Sequence, residues 1–113
     1  MKFVLTKEEV ISINHKLGGA LRSDSSLEFA FSAAEGKSDR GKLALLWRAV
    51  LIDHPFDDAN KRTIEVITRI YAKAKGYKID TKRLVKEIIE VSKENVQDLK
   101  TIERRIKYGL TGN

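Results

Sequence analysis

Apolar positions recur at three- and four-residue spacing along almost the whole chain, a periodicity that predicts helices and no strand. Thr6 is a good N-cap with Glu9 three residues on, and Leu5 and Val10 are spaced as a hydrophobic staple, so the first helix is expected from about Lys7 to Leu17 with a stop at Gly18 and Gly19. Ser25 with Glu28 repeats the capping-box spacing and predicts a short helix through Leu27, Ala30, Phe31 and Ala34, ended by Gly36. A third helix should open near Ser38 or Asp39. Leu43, Leu46, Trp47 and Val50 lie on one face of it, and Leu45, Leu51 and Ile52 widen that face until the helix reads as buried on most sides. After a polar interruption from His54 to Arg62, Ile64, Ile67, Ile70, Tyr71 and Ala74 mark a fourth helix, stopped by Gly76. Asp80 can cap a fifth through Leu84, Ile88 and Val91, and Asn95 with Asp98 can open a sixth through Leu99, Ile102 and Ile106. Short connections fold consecutive helices back on one another, so the expected architecture is all-α, a compact six-helix bundle. The β-branched content of Ile64 to Ile70 and the run Tyr77 to Ile79 carry some strand character.

The chain has 113 residues, enough for a single domain over residues 1–113 and too few for two independent cores. It contains no cysteine, which excludes disulfides, thiolate metal sites and cysteine nucleophiles. The opening MKFVLTKEEVISI meets acidic residues too early for the apolar core of a signal peptide, and no stretch approaches 18 uncharged apolar residues. A cytoplasmic location and no membrane partner are therefore expected. A formal charge of +6 favours an anionic partner without choosing one. Lysines after Lys73 are interleaved with Glu87, Glu90, Glu94 and Glu103, the pattern of a solvated helix face. Lys100, Arg104, Arg105 and Lys107 on the last helix keep a nucleic-acid partner as the less favoured alternative. His15 has no acidic pair or second histidine nearby and reads as structural or surface, Trp47 reads as core, and no Walker motif or dinucleotide fingerprint occurs.

One segment is not explained by packing. His54-Pro55-Phe56-Asp57-Asp58-Ala59-Asn60-Lys61-Arg62-Thr63 joins the two most apolar helices, where a few small turn residues would suffice. Pro55 disfavours the α conformation at His54, so the preceding helix should end there or just before it. Phe56 is expected to turn inward and pin the loop. Asp58 is placed to cap the following helix, with Ala59, Asn60 and Lys61 as its first three residues. The positive end of a helix favours anions, yet Lys61 and Arg62 crowd it, each at a cost of about 0.3–1 kcal/mol unless something negative lies between them. Asp57 or Asp58 could supply that charge from within, and a bound phosphate chain could supply it from outside by taking the free N–H groups, the ammonium and the guanidinium together. A carboxylate beside polyphosphate suits Mg²⁺, which binds through one or two carboxylates plus substrate phosphates. An imidazole, with an unperturbed pKa of about 6.5, suits a general base for an incoming hydroxyl, the role open to His54.

The run His54-x-Phe56-x-Asp58-Ala59-Asn60-Lys61-Arg62-Thr63 resembles the signature of the Fic/Doc (Fido) family, and more closely its Doc (death-on-curing) branch. Leu43 to Asp53 is similar to the apolar helix that ends in the family's histidine, and the resemblance is strong over Leu43 to Ala74. It implies a Fic/Doc-like helical fold in which this loop and the start of the next helix hold a nucleoside triphosphate. By that likeness His54 deprotonates a hydroxyl of a target protein and Asp58 holds Mg²⁺. Ala59, Asn60, Lys61 and Arg62 form the ATP-binding turn, and Arg62 stabilises charge during transfer. The adenylylating branch usually has glycine where this chain has Lys61, and commonly a second arginine where it has Glu65. Both differences favour Doc-like chemistry, transfer of a phosphoryl group to a serine or threonine, as the branch's namesake does to a translation factor. Doc proteins are typically toxins neutralised by an antitoxin, which implies such a partner. The family's β-hairpin flap would fall between the second and third helices. Phe31 to Lys42 carries no hairpin signal, so the flap is expected to be reduced or absent. Adenylyl transfer (AMPylation), or a catalytically silent member that binds nucleotide or nucleic acid, stays open as the alternative.

Overall fold

The structure is a computed structural model that describes residues 3–111. Six helices follow one another: α1 (Lys7–Lys16), α2 (Ser25–Ala33), α3 (Asp39–Asp53), α4 (Asn60–Lys75), α5 (Thr81–Lys93) and α6 (Leu99–Tyr108). The architecture is thus an all-α six-helix bundle, with a Cα radius of gyration of 12.7 Å against about 13 Å for a chain near this length. One departure is a pair of two-residue strands, β1 (Lys78–Ile79) and β2 (Leu110–Thr111), which pair antiparallel with Ile79 opposite Leu110. Strand pairing was not expected from the periodicity, because two residues are too few to show one. The pairing ties the residues after α6 to the α4–α5 connection.

Helix α3 is the axis of the bundle and packs against α2, α4, α5 and α6. Leu43 through Trp47 and Ala49 through Leu51 are all buried, as the breadth of its apolar face requires. Trp47 is fully buried, and its indole N–H donates to the Thr68 hydroxyl on α4 at 2.9 Å, which in turn donates to the Ile64 carbonyl at 2.8 Å. That chain satisfies the polar atoms carried inside with the ring. On α5, Glu87 is also buried. Burial pushes its carboxyl up, but hydrogen bonds from Arg83 (2.6 Å) and Arg105 (3.0 Å) outweigh that and hold it below the ordinary range. Arg105 reaches Glu90 and Glu94 as well, so it is committed to carboxylates and is not free for a phosphate backbone.

The helix starts show which caps the residue pattern identifies. Thr6 and Glu9 form the reciprocal capping box, Ser38 accepts from the Gly41 N–H, and Asp80 accepts from the Arg83 N–H. Two expectations are corrected. Ser25 is the first residue of α2 and not its cap; Asp24 holds that place with no side-chain capping bond, and the Lys7 ammonium takes both Asp24 (3.3 Å) and Glu28 (2.9 Å) from α1, so Glu28 does not reach back to the cap. Asn95 does not open α6: it is left-handed with φ 54°, and Asp98 alone caps the helix by accepting from the Thr101 N–H. Between α2 and α3 the chain has only residues 34–38 and no strand, so nothing like a hairpin flap stands there. Among the described residues no helix is long and apolar enough to cross a membrane.

Candidate active site

The loop from His54 to Ala59 connects α3, the most buried helix, to α4, whose inner face carries Thr63, Ile64 and Ile67. Helix α3 stops where Pro55 requires it to, and His54 turns left-handed as its C-cap, with φ 50°. Phe56 then drives its ring into the core, where it is fully buried. Its backbone is tied from both sides. The Phe56 N–H donates to Asn60 Oδ1 at 3.4 Å, and Asn60 Nδ2 donates to the Phe56 carbonyl at 3.0 Å.

At the far end of the loop the expected cap is corrected. Asp58 is not the N-cap of α4; Ala59 is, in a left-handed conformation with φ 62°. The extra left-handed residue shifts the helix start by one, so Asn60, Lys61 and Arg62 are its first three residues. Asp58 Oδ1 accepts from the Ala59 N–H at 2.7 Å and does not reach the helix. No side chain caps α4, and among the described residues the N–H groups of Asn60, Lys61 and Arg62 have no hydrogen-bond partner. A left-handed alanine or histidine costs roughly 1–2 kcal/mol each. Two of the three positive-φ non-glycine residues described, His54 and Ala59, lie at the two edges of this one loop. Strain of this kind persists only where the surroundings enforce it.

Residues 17–24 do much of that enforcing. The N–H groups of Arg22 and Ser23 both donate to the Pro55 carbonyl, at 2.8 and 3.3 Å. The Asp57 N–H donates to the Ala20 carbonyl, and Asp57 Oδ1 accepts from the Ala20 N–H at 2.8 Å. Leu21 and Phe56 form an isolated antiparallel bridge, and the Arg22 guanidinium donates to the His54 carbonyl at 2.9 Å. Buried Asn14, on α1, donates to the Asp58 carbonyl at 2.9 Å and to the Thr63 hydroxyl at 3.1 Å. These contacts span 32 to 49 residues and have no local sequence signature. A hint was available in Gly18–Gly19: one glycine suffices to stop α1, and the second answers a different need. A methyl group on Gly19 would meet the Asn14 side chain and come within 2.6 Å of the Asp58 carbonyl.

His54, Asp57, Asp58, Ala59, Asn60, Lys61 and Arg62 line one cleft of about 290 Å³. His54, Asp58, Lys61 and Arg62 are solvent-exposed, Asn60 is half-buried, and Ala59 is buried. Internal ion pairing, the alternative left open by the residue pattern, is not seen: among the described residues neither Lys61 nor Arg62 forms an ion pair. Asp57 is spent on Ala20, Asp58 on Ala59, and Arg62 places one N–H on the Leu17 carbonyl at 3.3 Å. The cleft is therefore lined by an ammonium, a guanidinium, two carboxylates and an imidazole, at a helix start whose first three N–H groups are open.

The residues fit a divalent ion in one mode only. Among the described residues no group of three histidine or acidic side chains converges, so the protein alone offers no cage. Asp58 has one oxygen bound to a backbone N–H and a second available, which matches Mg²⁺ held by a carboxylate together with substrate phosphates. His15, the other histidine, is exposed on α1. No family model, no curated protein and no solved structure matches this chain.

Proposed function

We propose that the chain is a Mg²⁺-ATP-dependent transferase that moves the γ-phosphoryl group of ATP to a serine or threonine hydroxyl of a target protein, in the manner of the Doc branch of the Fic/Doc family. The observation that carries this reading is the uncompensated cationic start of α4. Lys61 and Arg62 lie beside three open N–H groups and, among the described residues, neither forms an ion pair, and a polyphosphate answers all of them at once.

On this reading ATP lies in the cleft with its phosphates against the N–H groups of Asn60, Lys61 and Arg62. Asp58 would hold Mg²⁺ together with phosphate oxygens, and the ion would supply neutralisation of phosphate charge there. His54 accepts the proton of the target hydroxyl, and that oxygen forms a bond to the γ-phosphorus. The bond from the γ-phosphorus to the β,γ-bridging oxygen breaks, its electron pair leaves with ADP, and Arg62 stabilises the charge on the moving group. Lys61 favours this outcome over adenylyl transfer. Its ammonium occupies a place where glycine would leave room, which turns the chain of phosphates so that the terminal phosphorus meets the hydroxyl. With only residues 34–38 between α2 and α3, the target segment must be aligned without a flap. A toxin role, a translation factor as target and an antitoxin partner follow from the resemblance and belong to the same proposal.

The test uses the protein and a His54→Ala variant with cell extract, Mg²⁺ and ATP labelled separately on its α- and γ-phosphates. Protein-bound γ label that disappears in the variant is expected. Protein-bound α label would replace the reading with adenylyl transfer, and no label on protein in either form would remove the transferase assignment.

A further inference from the structure

We propose that Asn14 is a positioning residue for this site: its side-chain amide holds the left-handed turn at Ala59 and so sets the aim of the Asp58 carboxylate against the open end of α4, a role that rests on the Mg²⁺-ATP reading above. Asn14 is fully buried on α1, remote in sequence from the loop, and its Nδ2 donates to the Asp58 carbonyl and to the Thr63 hydroxyl. These two acceptors bracket Ala59. The Thr63 hydroxyl spends its own proton on the Ala59 carbonyl at 2.7 Å, and the Thr63 N–H donates to that same carbonyl at 2.9 Å.

The orientation of the amide is fixed by this arrangement. With the Thr63 proton committed, both partners of Asn14 can only accept, so a flipped amide would set its carbonyl against two oxygens. The orientation that serves the loop leaves Asn14 Oδ1 buried without a partner. An orphaned acceptor is disfavoured in an interior, and an apolar side chain would fill the same space without one. What only asparagine supplies here is a pair of donors from one nitrogen. Gly19 permits the approach, since a methyl there would collide with both Asn14 and the Asp58 carbonyl. Without the two donors, the Asp58 carbonyl loses its tie to α1, and a left-handed alanine is free to relax toward ordinary backbone. Asp58 and the N–H groups of α4 lie on opposite sides of that residue, so relaxation changes their relative aim.

The test compares Asn14→Leu, which keeps volume and removes both donors, with Thr63→Val, which removes one acceptor and leaves Asn14 in place. Thr68→Val, a buried change on the same helix beside Trp47, controls for general destabilisation. Two quantities are read on folded protein: amide hydrogen exchange at Ala59 and Asn60 without ligand, and the ratio of ATP affinity with Mg²⁺ to that in chelator, by calorimetry. Asn14→Leu and Thr63→Val are expected to speed exchange at Ala59 beyond the control and to lower the Mg²⁺ enhancement by about 10–100-fold, the usual effect of removing a group that orients a metal ligand. Wild-type exchange at Ala59 in both variants overturns the inference. So does faster exchange with an unchanged Mg²⁺ enhancement, because the turn would then move without moving the carboxylate. Should Asn14→Leu fail to fold, Thr63→Val decides on the same two readouts. Wild-type protein that binds no ATP under either condition overturns the ATP reading instead, and the exchange data still decide whether Asn14 holds the turn.

Discussion

Replacing Phe56 by alanine removes the one apolar anchor of a loop that is otherwise polar. The ring has no exposed surface, and its backbone is bonded to Asn60 on one side and bridged to Leu21 on the other. Those ties limit how far the loop can collapse into the space left behind. The full penalty for a buried phenylalanine is therefore expected, about 3–5 kcal/mol. For a domain of this length each kcal/mol lowers the melting temperature by roughly 4 °C, so the fall should be about 12–20 °C. Thermal unfolding followed by circular dichroism measures the change, and the fluorescence of Trp47, the single tryptophan, reports on the neighbouring core. Phe56→Leu, which restores much of the lost volume, should recover most of the loss. At a temperature where the alanine variant is folded, its ATP affinity should also be reduced, because Asn60 takes its orientation from the Phe56 backbone. A fall of less than about 4 °C, corresponding to roughly 1 kcal/mol, would refute the idea that the ring pins the loop.

Lys61→Gly should weaken transfer of the γ-phosphoryl group and admit some adenylyl transfer, read with ATP labelled at either phosphorus; equal γ-transfer by both proteins would count against the role given to Lys61. Acid should destabilise the fold through Glu87, whose carboxyl is held low by Arg83 and Arg105 against the upward push of burial. A carboxyl lowered in the folded state contributes stability at pH above its ordinary value of about 4.3 and loses it as pH falls through the folded value. Melting temperature should therefore drop as pH falls below about 4.3, and Glu87→Gln should flatten that acid limb; parallel acid limbs in the two proteins would contradict it.

All six helices could be read from the residue pattern, because α3 is apolar on most of its surface and most of the caps are local. Thr6 with Glu9, Ser38 and Asp80 act within three residues of themselves, which is the range over which spacing carries information. Where a local signal had a distant competitor it misled. Glu28 fits a capping box with Ser25, but Lys7 claims its carboxylate from α1. Asp58 has the chemistry of a cap, but a left-handed Ala59 intervenes, and nothing in an alanine announces positive φ. The loop's residues were visible as an unusual cluster, whereas its support was not. Asn14, Ala20 and Arg22 meet the loop across 32 to 44 residues of chain, through ordinary hydrogen bonds that no spacing rule encodes. The β1–β2 pair escaped for a related reason: each strand has two residues, and its partner lies at the other end of α5 and α6.

If the cations opening α4 hold polyphosphate, nucleotide affinity must depend on them. Calorimetric titration of the wild-type protein, and of an Arg62→Ala variant shown to be folded, with ATP in the presence of Mg²⁺ tests it most directly. Saturable binding of one nucleotide per chain is expected, with its loss or severe weakening in the variant. No binding by the wild type, or equal affinity in both proteins, would contradict it.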